Sequence, residues 1–206
     1  MAKATASTEP QQALAVDGKP IGGKPKRKRK PLPPISRCID WINEGRALLD
    51  KPAAPGVERP EPRGELVAAF GLPIDLCLPQ DRRRQLWAAL ATRSKLWKLM
   101  SDQALVLGWH RIEKPLKGRP QVRCVRFSAG ATDAYADWAK QAVDILCPSV
   151  RRVHRKGKKA GKVTISPGLG LITRDTVAAI DEKQWSESAP AGHGFCLIEI
   201  RTGVPQ

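Results

Sequence analysis

Two short runs, and the stretch between them, constrain this chain most. Gln121–Ser128, Q-V-R-C-V-R-F-S, sets Arg123, Val125 and Phe127 against Val122, Cys124 and Arg126, the period of two of a strand. Phe195–Ile200, F-C-L-I-E-I, reads as a closing strand with Cys196, Ile198 and Ile200 on one face. Between them Thr132–Leu146, T-D-A-Y-A-D-W-A-K-Q-A-V-D-I-L, reads as a helix. Its buried side is Ala136, Ala139, Val143 and Leu146, and Thr132 is placed to cap its start. A strand delivering the chain to a helix, with a later strand to close, defines an α/β (α+β) domain.

The polar side of that helix is a stripe. Asp133, Asp137, Lys140 and Asp144 fall at i, i+4, i+7 and i+11. One reading is a solvated face whose Asp–Lys pairs contribute a few tenths of a kcal/mol each. The other is a metal and phosphate site, with carboxylates for a divalent cation and the lysine for a phosphate oxygen.

Upstream, Ile74–Leu78 alternates and ends at Pro79, which predicts a strand. Asp81 to Gly108 predicts helix, with Leu86, Leu90, Trp97, Met100, Ala104 and Leu107 as its apolar side and Gly108 as its stop. Trp87, Trp97 and Trp109 read as core or amphipathic packing rather than base-stacking platforms. Thr176–Lys183 is compatible with strand or helix. Gly168-Leu169-Gly170 lacks the third glycine of a dinucleotide-binding fingerprint.

Composition bounds the rest. Residues 1–35 hold almost no large apolar side chain and read as a disordered basic tail, with Lys24–Lys30 as a phosphate-binding arm or a solubilising run. Residues 36–65 read as a short helix and a proline-rich linker. The folded domain is expected over 66–206, with a basic insert at 147–168. The net charge of +16 points to a polyanionic partner, a nucleic acid above all. The candidate contacts are Arg82, Arg83 and Arg84, and then Arg151, Arg152, Arg155, Lys156, Lys158 and Lys159, in a loop or hairpin suited to tracking a phosphodiester backbone. No window is apolar enough for a membrane span, and the N-terminus lacks the apolar core of a signal peptide. Five singly spaced cysteines exclude a CxxC zinc ribbon and read as small buried apolar residues in a reducing compartment.

The order of these segments resembles the RusA family of Holliday-junction resolvases, carried by phages and prophages. Three stretches of this chain carry the resemblance: P-I-D-L-C-L-P-Q-D-R-R-R at Pro73–Arg84, D-A-Y-A-D-W-A-K-Q-A-V-D-I-L at Asp133–Leu146, and G-L-I-T-R-D-T-V at Gly170–Val177. The resemblance implies a small mixed sheet packed by helices and a Mg²⁺-dependent endodeoxyribonuclease acting on branched DNA as a homodimer. It also implies a cytoplasmic, nucleoid-associated place in a bacterial host. It assigns Asp133, Asp137 and Asp175 to the metal and Lys140 to a phosphate oxygen, with Asp144 structural. The two acids at the helix entrance are four residues apart here and two apart in the family, and Arg174-Asp175 stands where the family has a double acid. The alternative is a non-catalytic DNA-binding protein on a degenerate resolvase scaffold.

Overall fold

The strand expected at Ile74–Leu78 lies one element earlier. Leu66–Pro73, L-V-A-A-F-G-L-P, forms β1, and Ile74–Leu76 is a single 3-10 turn. Five consecutive residues of β1, Ala68 to Leu72, are buried. A strand covered on both faces reads as a continuous apolar run rather than an alternating one, and Pro73 ends it because proline has no N–H for the ladder.

The computed structural model describes residues 31–77, 86–129, 138–157 and 160–204. Among them the elements run α1 (Ile35–Leu49), β1, α2 (Leu86–Val106), β2 (Arg119–Ser128), α3 (Lys140–Leu146), β3 (Val150–Val153), β4 (Val163–Ser166), β5 (Asp181–Ser188) and β6 (Phe195–Val204). β1, β6, β2 and β5 form one sheet in that order, and β3 pairs with β4 in a separate hairpin. β6 is antiparallel to both neighbours, and β2 and β5 are parallel. The α/β class and the small mixed sheet are therefore as expected. The ambiguous stretch at Thr176–Lys183 divides into a turn, in which the Ala179 N–H donates to the Thr176 carbonyl at 2.8 Å, and the start of β5.

Both faces of the sheet are covered, so β6 buries Phe195 and Leu197 as well as Cys196, Ile198 and Ile200. α1 lies on the face carrying Phe127, Phe195 and Leu197. Its Gly45 sits so close to those side chains that an added Cβ would be 3.0 Å from Leu197 Cδ2, and Trp41 stacks on Phe195 with ring centroids 6.1 Å apart. On the opposite face Trp109, just beyond α2, meets Phe70 edge-on at 5.2 Å.

α2 ends as expected, at Gly108 in the left-handed region (φ 78°). Its buried side is rotated from the expected one. Leu96, Leu99, Met100, Gln103 and Ala104 are buried, and Leu90 is exposed. Gln103 explains the inclusion of a polar residue. β1 is an edge strand, and an edge presents unpaired N–H and C=O groups. The Gln103 side chain accepts from the Gly71 N–H at 2.9 Å and donates to the Gly71 carbonyl at 3.1 Å, closing that edge with one amide.

Residues 51–65 do not behave as a spacer, and they belong with α1 to a compact unit spanning Leu32–Gln206. Gln121 of β2 grips them twice: its Oε1 accepts from the Arg63 N–H at 2.9 Å and its Nε2 donates to the Glu61 carbonyl at 3.0 Å. Arg123 donates to Glu199 at 2.6 Å and to the Pro60 carbonyl at 3.2 Å. Burial pulls the Arg123 guanidinium down from its ordinary value, and Glu199 opposes that. Arg59 forks onto Glu187 at 2.6 and 3.1 Å and also donates to the Leu49 carbonyl at the end of α1 at 3.0 Å. The proline-rich stretch thus satisfies the helix end that α1 would leave open.

The helix expected over Thr132–Leu146 begins at Lys140, and Trp138 and Ala139 precede it. The Ala139 carbonyl accepts from Ala142 and Val143 at 2.8 and 3.0 Å, which marks it as the residue before the first turn. Trp138 is fully buried there, and Ala139, Val143 and Leu146 face the core as expected. Ala136 and the start of the stripe lie outside the described residues.

Candidate functional site

α3 is short, and a helix of any length leaves its last carbonyls without partners inside it. The chain returning from the β3–β4 hairpin supplies them. The Leu169 N–H donates to the Ile145 carbonyl at 2.7 Å, Gly170 to Cys147 at 3.1 Å and Ile172 to Leu146 at 3.2 Å. Leu171 and Ile172 are buried beside them. This strap runs directly into Asp175 and fixes where that carboxylate lies.

It lies on Lys140. The Lys140 ammonium donates to Asp175 Oδ2 and, at 2.8 Å, to Asp144 Oδ1 one turn along α3. Arg93 of α2 closes the far side, with Nη1 3.3 Å from Asp144 Oδ2 and Nη2 3.4 Å from the Asp144 carbonyl. The cluster reads Arg93, Asp144, Lys140, Asp175, with charges that balance. Its side chains are partly open to water, from 22% exposed at Arg93 to 32% at Lys140. At that exposure such pairs add little to folding, about 0–1 kcal/mol each. Cys147 lies at the end of the same helix. Burial pushes its thiol up, with Asp144 adding to the rise and Lys140 and Arg93 opposing it.

Chemically, two carboxylates from different segments converge on one cation. Carboxylate oxygens are hard donors of the kind Mg²⁺ takes, and that ion keeps several waters when it binds. The donor type of Asp175 suits Mg²⁺, and Lys140 holds the positive charge between Asp175 and Asp144. Among the described residues no group of three or more His, Cys, Asp or Glu side chains gathers as a metal site.

Of the residues expected from sequence, the structure brings Lys140 and Asp175 together. Asp133 and Asp137 lie outside the described residues, as do Arg82, Arg83, Arg84, Lys158 and Lys159. Arg151 and Arg152 stand exposed on β3, and Arg155 and Lys156 are exposed just beyond it. Asp144, read from the sequence as structural, pairs with Lys140 at the i,i+4 spacing noted on the stripe. Arg93 had no such signal, because it is 51 residues from its partner. His154 hydrogen-bonds Thr164 Oγ1 at 2.7 Å across the hairpin.

Comparison with protein-family models, with curated proteins and with solved structures finds no match for this chain. Among the described residues no helix is long and apolar enough to cross a membrane.

Proposed function

We propose that this chain is a RusA-like, Mg²⁺-dependent, structure-specific endodeoxyribonuclease acting on Holliday junctions or other branched DNA. One observation carries the reading: Asp175 and Lys140, 35 residues apart, meet at the start of α3. The resemblance assigns those two residues to metal and phosphate. In this reading Asp175 holds the metal, together with Asp133 and Asp137, and Asp144 orients Lys140. Bound Mg²⁺ would supply Lewis acidity and a more acidic water. Lys140 turns its ammonium from Asp175 to a non-bridging oxygen of the scissile phosphate and offsets charge as it builds. Arg93 keeps Asp144 in place when Lys140 moves. The exposed cations of the hairpin hold the backbone of the DNA. A four-way junction presents two symmetry-related strands, which suits a homodimer.

The second reading, a DNA-binding protein without catalysis on a degenerate scaffold, has its own support. Lys140 pairs with both carboxylates it touches and Arg93 balances the remaining charge, as in a purely structural ion cluster. Both readings give salt-dependent DNA binding, so cleavage separates them. A labelled four-way junction is incubated with the full-length protein, with and without Mg²⁺, beside Asp137→Asn and Asp175→Asn. Paired nicks that require the metal and vanish in both variants establish the nuclease. Tight binding with no cut under any divalent metal, unchanged in the variants, establishes the non-catalytic reading.

A further inference from the structure

The β3–β4 hairpin is the one described pair of strands outside the main sheet, and it is exposed on both sides. Its register pairs Val150 with Ser166, Arg151 with Ile165, Arg152 with Thr164 and Val153 with Val163. Cross-strand partners share a face, and so do residues two apart. Arg151, Val153, Val163 and Ile165 therefore form one face, and Val150, Arg152, Thr164 and Ser166 the other. The first face holds three aliphatic side chains in open water: Val153 is 52% exposed, Val163 45% and Ile165 64%. An isolated two-stranded ribbon is marginal in water, and a contiguous exposed apolar face beside charge marks a contact surface.

Charge selects the occupant. From Ile145 to Arg174 the chain holds no acidic residue. The exposed Arg151, Arg152, Arg155, Lys156 and Lys162 surround the ribbon. A second copy of the chain would bring the same cations face to face, which opposes pairing of the open strand edges. A lipid surface is poorly served by three short aliphatic side chains without an aromatic anchor. A two-stranded ribbon does fit the major groove of duplex DNA, about 12 Å wide, where aliphatic side chains can meet thymine methyl groups and arginines the guanine edge or the phosphates.

We propose that the β3–β4 hairpin is a groove-reading ribbon for duplex DNA, with the Arg151, Val153, Val163, Ile165 face turned to the bases and the flanking cations to the phosphates. The strap that leaves this ribbon runs to Asp175, so DNA held by the ribbon is placed with respect to the cluster on α3. The proposal deepens the reading of the chain as a DNA-acting protein and rests on it.

The test uses full-length protein and a fluorescein-labelled duplex, read by anisotropy at low and high salt. One variant carries Val163→Ser and Ile165→Ser; a second carries Arg151→Ala and Arg152→Ala. Neither touches the core, so melting temperatures stay at the wild-type value. The serine variant is expected to bind the duplex about tenfold more weakly at every salt concentration, the scale of one lost base-edge contact. The alanine variant is expected to flatten the slope of log affinity against log salt by about 2. Wild-type affinity and slope in both variants overturn the proposal. A parallel co-sedimentation arm uses vesicles of phosphatidylserine and phosphatidylcholine, and a loss confined to that arm overturns the proposal as well. Junction cleavage by wild type with unchanged duplex binding in the variants would remove the ribbon and leave the nuclease. Duplex binding lost in the variants with no cleavage by wild type would do the reverse.

Discussion

Asp175 and Lys140 are joined by an ion pair although 35 residues separate them, because the strap that caps α3 delivers one to the other. Around that pair the described residues supply a second carboxylate, Asp144, and a second cation, Arg93. An arrangement so open to water is weakly stabilising, so its members can be changed with little loss of fold.

Replacing Lys140 with methionine tests that separation. The variant is expected to melt within about 1 kcal/mol of wild type, since the pairs it breaks are partly exposed. If the proposed nuclease reading holds, cleavage of a four-way junction by the same protein is expected to fall by about 10²–10³, the scale of losing one preorganised donor at a developing charge. Urea denaturation and single-turnover cleavage measure the two effects. A large fall in stability with no change in cleavage would make the cluster structural.

Gln103 should matter far more to the fold. Its amide is the partner of both the Gly71 N–H and the Gly71 carbonyl, and it is fully buried. In Gln103→Leu both backbone groups lose their partner inside the protein. The expected loss is about 2–6 kcal/mol, at about 1–3 kcal/mol for each of the two buried orphan groups. Urea unfolding followed by tryptophan fluorescence reads it directly, and a loss below about 1 kcal/mol would mean that the edge finds another partner.

The clamp on the proline-rich stretch gives a double-mutant test. Arg59 bonds both oxygens of Glu187, whose side chain is 5% exposed. Arg59→Ala leaves that carboxylate without its cation, held by the Trp185 indole N–H at 2.9 Å, and is expected to cost about 3–5 kcal/mol. Adding Glu187→Gln removes the stranded charge, so the double variant should regain part of the loss. Limited proteolysis should cut within 51–63 in the single variant before it cuts the sheet.

Stability should fall at alkaline pH for a defined reason. Burial pushes the Cys38 thiol from 9.0 up to about 11, and it also raises Cys147 and Cys196. A thiol whose folded value is raised supports the fold fully below its unfolded value, and that support is lost as pH climbs through the folded one. Between about pH 9 and 11 the unfolded chain gives up its Cys38 proton while the folded chain keeps it. Each such thiol adds a slope of up to about 1.4 kcal/mol per pH unit towards unfolding. Urea midpoints across that window, compared between wild type and Cys38→Ala, should show a shallower fall in the variant.

Much of the architecture was legible in local pattern. The alternation at Gln121–Ser128 and the run at Phe195–Ile200 became β2 and β6, Gly108 became the stop of α2, and the acid-free segment after Cys147 became a hairpin. The errors share a cause. The stretch Thr132–Leu146 has helical periodicity, but Trp138 is drawn into the core and the helix starts after it, at Lys140. Leu66–Pro73 lacks alternation because both its faces are covered, so the alternating Ile74–Leu78 drew the strand assignment away from it. Of the candidate site, the Lys140–Asp144 spacing was readable, and the arrival of Arg93 was not.

What the sequence determined by itself is the class of fold, the order of its segments and the sign of its own net charge. Those follow from hydrophobic period and net charge, which act along or over the whole chain. Only the tertiary structure decided that the proline-rich stretch grips β2, that Gln103 closes the edge of β1 and that Asp175 meets Lys140. Each of those contacts satisfies polar groups left over by a local element, at a helix end, a sheet edge or a charged turn. Such groups take whichever partner the folded chain brings within hydrogen-bonding distance, and local periodicity carries no record of which partner that is.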